Sequence, residues 1–596
     1  MSTRPAVSPA LVATVTEDAP GRVRRKLDKT PDAAESWAWK SSGDRWTIEA
    51  GGETVELTAP DGVVNSFDQI ACSCLLSPRC YHLLACLSVM PLANGNEEES
   101  GESDSPQVET EPIGERPALS EPQTKAAAFL WEEAAKLVAT GVRSAGSLSQ
   151  AHLMRALHEC RSVGLHRLSA VGLRVLQQIR QLRSDDDEFN SDTLVTDLLE
   201  TLELAWRLKT AEESPADWIG TARRAYSPIE SLSLQALFTE PILTASGHAG
   251  VVTYLMDVSQ TIYSVSNVRP GEPSRVFEAW KTGIDVGGLS CSHQELSRSG
   301  LLLQRGTVSA DGRLGAGQNT RAITKTSGGW DSLQSAFEVD LDDQIAHVFE
   351  AARASLVTRR AGWDLVFLRG HLAGTDGESL LFQTESGRSV LLSVEQTHEA
   401  LAFHHNLSLL SRCPGLRLSV IGRLLPEQAG QVSALAIAPL NDAESDHGNS
   451  ADRAALVLKK PLTDHVSLGI EKLSRGNLST AEREPVQLTV EPPDIDDGLF
   501  SLHRRVRELA LNGRHSLPTR GVTGFAREAA TLKAQSQPTA SALLQNLASH
   551  AVASESSLSG LRFPADPNPL AQMWLACAKY ATASRFEFQK SLWSPH

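Results

Sequence analysis

Apolar and polar residues alternate through 46–57, WTIEAGGETVEL, with Trp46, Ile48, Val55 and Leu57 set in polar surroundings on either side of Gly51-Gly52. A period of two interrupted by two glycines predicts a β-hairpin. Residues 63–71 add a short extended run, and 82–90, HLLACLSVM, are apolar enough for a short buried helix. From 123 the period changes. Phe129, Leu130, Ala134, Leu137 and Val138 recur at helical spacing, as do Leu194, Leu198, Leu202 and Ala205, so 123–240 reads as a helical bundle without a fixed repeat. Strand-like runs return over 247–345: VVTYLMDV, TIYSVSNV and LLLQRGTV. Within 364–440, DLVFLRGHL, SLLFQTE and SVLLSV read as three strands, 395–413 as a helix, and RLSVIGRLL and QVSALAIAPL as two more strands. Three strands, a helix and two strands is the order of an OB-like barrel. Residues 441–455 and 475–498 read as loops, and 495–596 as a mostly helical C-terminal region. The expected fold class is α+β and multidomain.

The segment 93–122 breaks the pattern. Acid, Ser, Pro and Gly dominate it and apolar residues are almost lacking. Such a stretch buries too little surface to offset chain entropy, so it reads as a disordered acidic linker after an N-terminal region, 1–92. Much of the formal charge of −16 lies there. An acidic balance opposes a phosphate backbone, although 22–29 carries a local basic run, Arg22, Arg24, Arg25, Lys26 and Lys29. The 596 residues contain no run of about 18 uncharged apolar residues, so no transmembrane helix is expected. The N-terminus lacks a convincing signal-peptide pattern, and the expected location is cytoplasmic.

Of eight cysteines, three fall within nine residues. Cys72-Ser73-Cys74, five residues, then Cys80-Tyr81-His82 place three thiols and one imidazole in eleven residues. Zn²⁺ favours four tetrahedral ligands of these kinds, and a full set leaves no open position for catalysis. The expectation is a structural zinc site, Cys72, Cys74, Cys80 and His82, between the end of an extended segment and the first turn of a helix. A module this small has little core of its own, so the metal is expected to contribute much of its folding free energy.

The C-x-C…C-x-H pattern, with a hairpin before it and an apolar helix after it, resembles the SWIM-type zinc finger over about residues 45–90. The resemblance implies zinc as cofactor and DNA binding or protein–protein interaction as role. For a bacterial chain of this length it implies a protein partner such as a MoxR-like AAA ATPase or a von Willebrand A-domain protein. Leu75 and Tyr81 stand where the family often carries a proline and a basic residue, which weakens an inference of nucleic-acid contact at the finger.

Other candidates read as structural. Cys86 lies one helical turn past His82 and reads as core. Cys291 and His293 form a C-x-H pair without a second pair nearby. His404 and His405, with Cys413, lie on the proposed barrel helix, where adjacent histidines face different ways. The Gly-rich stretch 312–317 lacks a P-loop ending and reads as a hairpin turn. Asp494, Asp496 and Asp497 have the wrong spacing for a calcium loop and read as an acidic helix cap. A single-strand-binding barrel needs stacking aromatics and a basic groove. Here the strands offer only Phe367 and Phe382, with Arg369, Arg388, Arg417 and Arg423. No enzyme motif is present. The expected function is therefore non-enzymatic: a zinc-binding protein-interaction scaffold, with DNA or RNA binding through the finger and the 22–29 segment as the alternative, and no membrane partner.

Overall fold

The computed structural model describes residues 4–93 and 119–593, less several short segments, the longest being 441–454, 479–485 and 489–495. The linker read over 93–122 lies for the most part outside the described residues; its last residues already belong to a helix, which Ser120 caps. Residues 4–93, 119–221 and 496–585 form one compact unit, and 226–488 with 586–593 form another.

The first unit starts with two short helices, α1 (Pro9–Asp18) and α2 (Gly21–Lys29), followed by an antiparallel sheet. Its strands are β1 (Ala38–Ser42), β2 (Arg45–Ala50), β3 (Glu53–Thr58) and β4 (Ile70–Cys72), hydrogen-bonded in that order. The hairpin turns at Gly51 and Gly52, both at positive φ, the region glycine enters without steric penalty. Trp46, Ile48, Val55 and Leu57 all point into the core. Helix α3 (Tyr81–Val89) packs on α1 and α2. Its Leu83, Leu84, Cys86 and Leu87 belong to the same continuous core as the helices α4 (Glu121–Thr140), α5 (Ser147–Ser162), α6 (His166–Arg183) and α7 (Ser191–Thr210). The zinc module was expected to have little core of its own; α3 instead shares the core of the bundle.

The second unit opens with an antiparallel sheet of β5 (Tyr226–Leu243), β6 (His248–Met256), β7 (Ile262–Pro270), β8 (Gly300–Ser309) and β9 (Arg321–Lys325), with α8 (Arg275–Lys281) against β6. Residues 226–240, grouped with the helices from sequence, are strand here. Leu232 and Leu234 alternate with serines, a period of two, and β6 and β8 hydrogen-bond β5 on both sides. After α9 (Leu341–Ala352) come β10 (Leu365–Asp376), β11 (Ser379–Thr384), β12 (Ser389–Ser393), α10 (Phe403–Leu410), β13 (Arg417–Leu424) and β14 (Gln431–Pro439). β10 pairs with β11 and β13, β11 with β12, and β13 with β14, while β12 pairs with β14 in parallel. The five strands thus close a circuit. α10 is shorter than the 395–413 expected, because the chain before it turns locally, with Leu401 N donating to His398 O at 2.9 Å.

The chain then returns to the first unit with α11 (Phe500–Asn512), α12 (Val522–Ala534), α13 (Pro538–Ala551) and α14 (Pro567–Leu592), the last as far as Arg585. Trp131 Nε1 donates to Asn568 Oδ1 at 2.7 Å, joining α4 to α14, and Trp574 Nε1 donates to Val506 O at 2.9 Å, joining α14 to α11. The helix ends of α4 and α11 meet back to back. A Cβ on Gly141 (φ +81°) would lie 2.3 Å from the Asn512 carbonyl carbon, and one on Gly513 (φ +59°) 2.3 Å from that of Thr140. Gly141→Ala should therefore destabilise this unit by about 2–4 kcal/mol, combining an unfavourable φ with backbone overpacking. Urea unfolding checks this; a change below about 0.5 kcal/mol would mean that the two turns move apart freely.

Candidate metal centre

Strand β4 delivers Cys72 in register opposite Val55. The next residue stays tied to the hairpin: Ser73 N donates to Thr54 O, and Thr54 N to Ser73 Oγ, each at 2.9 Å, while Ser73 Oγ also bonds the Glu53 carboxylate. Two tight turns follow, with Ser77 N donating to Cys74 O at 3.2 Å and Arg79 N to Leu76 O at 2.8 Å. Ser77 Oγ accepts from Cys72 N at 3.3 Å, drawing the outgoing chain back to the incoming one. Cys80 then caps α3, its Sγ accepting from Leu83 N at 3.4 Å, and His82 sits in the first helical turn.

This path converges four ligand atoms. The Sγ atoms of Cys72, Cys74 and Cys80 and one ring nitrogen of His82 all lie within 4.8 Å of one another, and Cys72 Sγ is 3.7 Å from His82 Nδ1. Zinc–sulfur bonds of about 2.3 Å and zinc–nitrogen bonds of about 2.0–2.1 Å imply tetrahedral edges of about 3.6–3.8 Å. The Cys72–His82 separation matches such an edge, and the four atoms lie close enough together to hold one divalent ion, a donor set consistent with zinc. Burial pushes the Cys80 thiol up to about 12, with the Cys72 and Cys74 sulfurs adding to it, and burial likewise raises Cys72. Three crowded thiolates repel one another; a bound dication reverses that balance and stabilises them together.

The surroundings hold the imidazole side. The Trp37 ring lies 6.2 Å from His82 and 6.4 Å from Tyr81, Thr30 Oγ1 is 2.9 Å from the Tyr81 hydroxyl, and Lys26 Nζ stands 3.9 Å over the Tyr81 ring. None of these partners was evident in the sequence. Trp37 and Lys26 lie tens of residues before the cluster, and only the packing of α2 and of the helical turn Ala33–Ser36 against α3 brings them to it.

The remaining candidates have other places. Cys86 is fully buried in the shared core. His293 Nδ1 pairs with the Thr253 hydroxyl at 2.8 Å, and Cys291 is buried. His405 Nε2 meets Leu473 O at 3.0 Å, His404 is exposed, and Cys413 is buried. Gly312 (φ +88°) closes the turn after β8. Asp496 and Asp497 accept from Gly498 N and Leu499 N just before α11, each at 2.9 Å, whereas Asp494 lies outside the described residues. Phe367 and Phe382 are core. All four arginines of these strands and their loops are engaged: Arg369 with Gln334 and the Phe337 ring, Arg388 with Asp342, Arg417 with Glu385, and Arg423 with Glu240 and Asp364.

No family model matches the chain, and no curated protein or solved structure matches it. No helix among the described residues is long and apolar enough to cross a membrane.

Proposed function

We propose that this chain is a zinc-binding interaction protein of the SWIM type. Cys72, Cys74, Cys80 and His82 would hold one structural Zn²⁺, and the surface built around that ion would dock on a protein partner. The convergence of four ligand atoms within 4.8 Å carries the reading. Four protein ligands close the coordination sphere, so the ion would cross-link the end of β4 to the start of α3 and activate no water. The closed pairing of β10 to β14 supports the OB-like reading of the second unit. Its engaged arginines and buried phenylalanines favour a structural or protein-contact role there over single-strand binding. The resemblance to SWIM proteins adds an ATPase assembly as the kind of partner.

Elemental analysis of purified protein should return close to one zinc per chain. A MoxR-like ATPase should be recovered with the intact chain and lost with Cys72→Ser. Metal-free protein purified in the presence of zinc would remove the metal from the reading, and unchanged recovery with the variant would remove the finger from docking. The nucleic-acid alternative draws on one observation, the exposed cations of α2 beside the cluster.

A further inference from the structure

The sequence of α2, GRVRRKLDK, buries Val23 and Leu27, folds Arg24 back onto Thr16 O and Glu17 O, and turns its other four basic residues outward. Arg22, Arg25, Lys26 and Lys29 are exposed and stand at i, i+3, i+4 and i+7, one stripe along one helix face. At 1.5 Å per residue the stripe is about 10 Å long. Among the described residues none of the four forms an ion pair: Arg25 Nε bonds its own helix at Gly21 O, and Lys26 lies over the Tyr81 ring. The stripe borders the metal cluster, because Tyr81 joins Cys80 to His82 in the chain.

The turn between Cys74 and Cys80 adds a second chemistry. Leu75 is fully exposed and Leu76 about half exposed, two adjacent leucines held out by tight turns whose ends are the ligand cysteines. Arg79 closes that turn and sits 3.7 Å from Asp18 at the end of α1, immediately before α2. Apolar tip and cationic stripe thus neighbour each other around one scaffold.

From this placement we infer that the surface receives an acidic protein segment carrying apolar side chains, its carboxylates on Arg22, Arg25, Lys26 and Lys29 and its apolar residues on Leu75 and Leu76. The inference rests on the interaction role proposed above. Charge complementarity selects an anion. The leucines select against a bare phosphate backbone, which has no use for apolar contact. The stripe is short, a length suited to about two turns of helix and not to a continuous duplex.

Fluorescence anisotropy on the full chain at 150 mM salt tests it, with a labelled 14-residue Glu/Leu peptide that repeats both residues at helical spacing. The controls are the same peptide with Gln for Glu, the same peptide with Ser for Leu, a 20-base-pair duplex, and phosphatidylcholine vesicles with and without phosphatidylserine. The Glu/Leu peptide should bind at least tenfold more tightly than either control peptide. The triple change Arg22→Glu, Arg25→Glu, Lys29→Glu should weaken it at least tenfold, and so should Leu75→Ser with Leu76→Ser. Zinc content should stay unchanged in both variants. Absent peptide binding with zinc retained overturns the surface and leaves the metal site standing, whereas peptide binding by a zinc-free chain overturns the metal reading alone. Tighter binding of duplex, or of phosphatidylserine vesicles, lost on the same charge reversal, assigns the stripe to that ligand and overturns the inference.

Discussion

Cys80→Ser should abolish tight metal binding and open the segment from Ile70 to His82, while the helical core stays folded. Cys80 is buried, supplies one of four converging ligand atoms and caps α3, so no other ligand position combines as many roles. An oxygen in place of that thiolate leaves three strong ligands, and zinc should then be lost to a chelator that the parent resists. In isolated finger peptides such a loss unfolds everything, because binding worth about 10–16 kcal/mol is also the folding free energy. Here α3 buries Leu83, Leu84 and Leu87 in a core shared with the long helices, and these contacts do not need the metal. Hydrogen exchange should accelerate by orders of magnitude over 70–82 and change little in α4 to α7. Uniform loss of protection across the first unit would show that the ion holds the whole unit; unchanged exchange at 70–82 would show that it holds nothing.

Arg423→Met should cost the second unit about 3–5 kcal/mol at neutral pH. Arg423 reaches from β13 to two carboxylates: Nη1 and Nη2 lie 2.5 and 3.0 Å from the two oxygens of Glu240, and Nε lies 2.7 Å from Asp364. Tyr254 donates its hydroxyl to Glu240 at 3.1 Å. With the arginine gone, two largely buried carboxylates face each other without a cation. Asp364 already sits above the ordinary carboxylate range, because it is buried and because Glu240 is near, and the variant should push it higher. The folded variant then binds protons that its unfolded chain releases, so its stability should rise as pH falls from 7 toward the ordinary carboxylate range. Urea midpoints of parent and variant should differ widely at pH 7 and less at pH 5. A gap that widens on acidification would show that the arginine is not what balances these charges.

Much of the local structure could be read from residue order. The hairpin over 46–57 needed only alternation and two glycines, and α3 only a compact apolar run. The strand and helix order of 364–440 followed from short apolar runs between turns. Residues 226–240 were misread because a long strand of Ser, Leu and Ala offers enough apolar spacing to pass for a helix. What makes it a strand is a hydrogen-bonding neighbour on either side, β6 and β8, more than ten residues away or tens of residues away in sequence.

The candidate metal ligands were legible for the same local reason. All four lie within eleven residues, and a C-x-C and C-x-H pairing is itself a statement of donor chemistry. Their convergence, and everything around them, was decided in three dimensions. Trp37 and Lys26 reach the imidazole side because α2 and the turn Ala33–Ser36 pack on α3; Glu240, Asp364 and Arg423 meet across 183 positions because two sheets share one core. Residue order determines chemistry that is short-range along the chain: periodicity, turns and a ligand set a few residues long. Partners far apart in sequence are set by burial, which depends on the whole unit closing around them and leaves no periodic trace in any one segment.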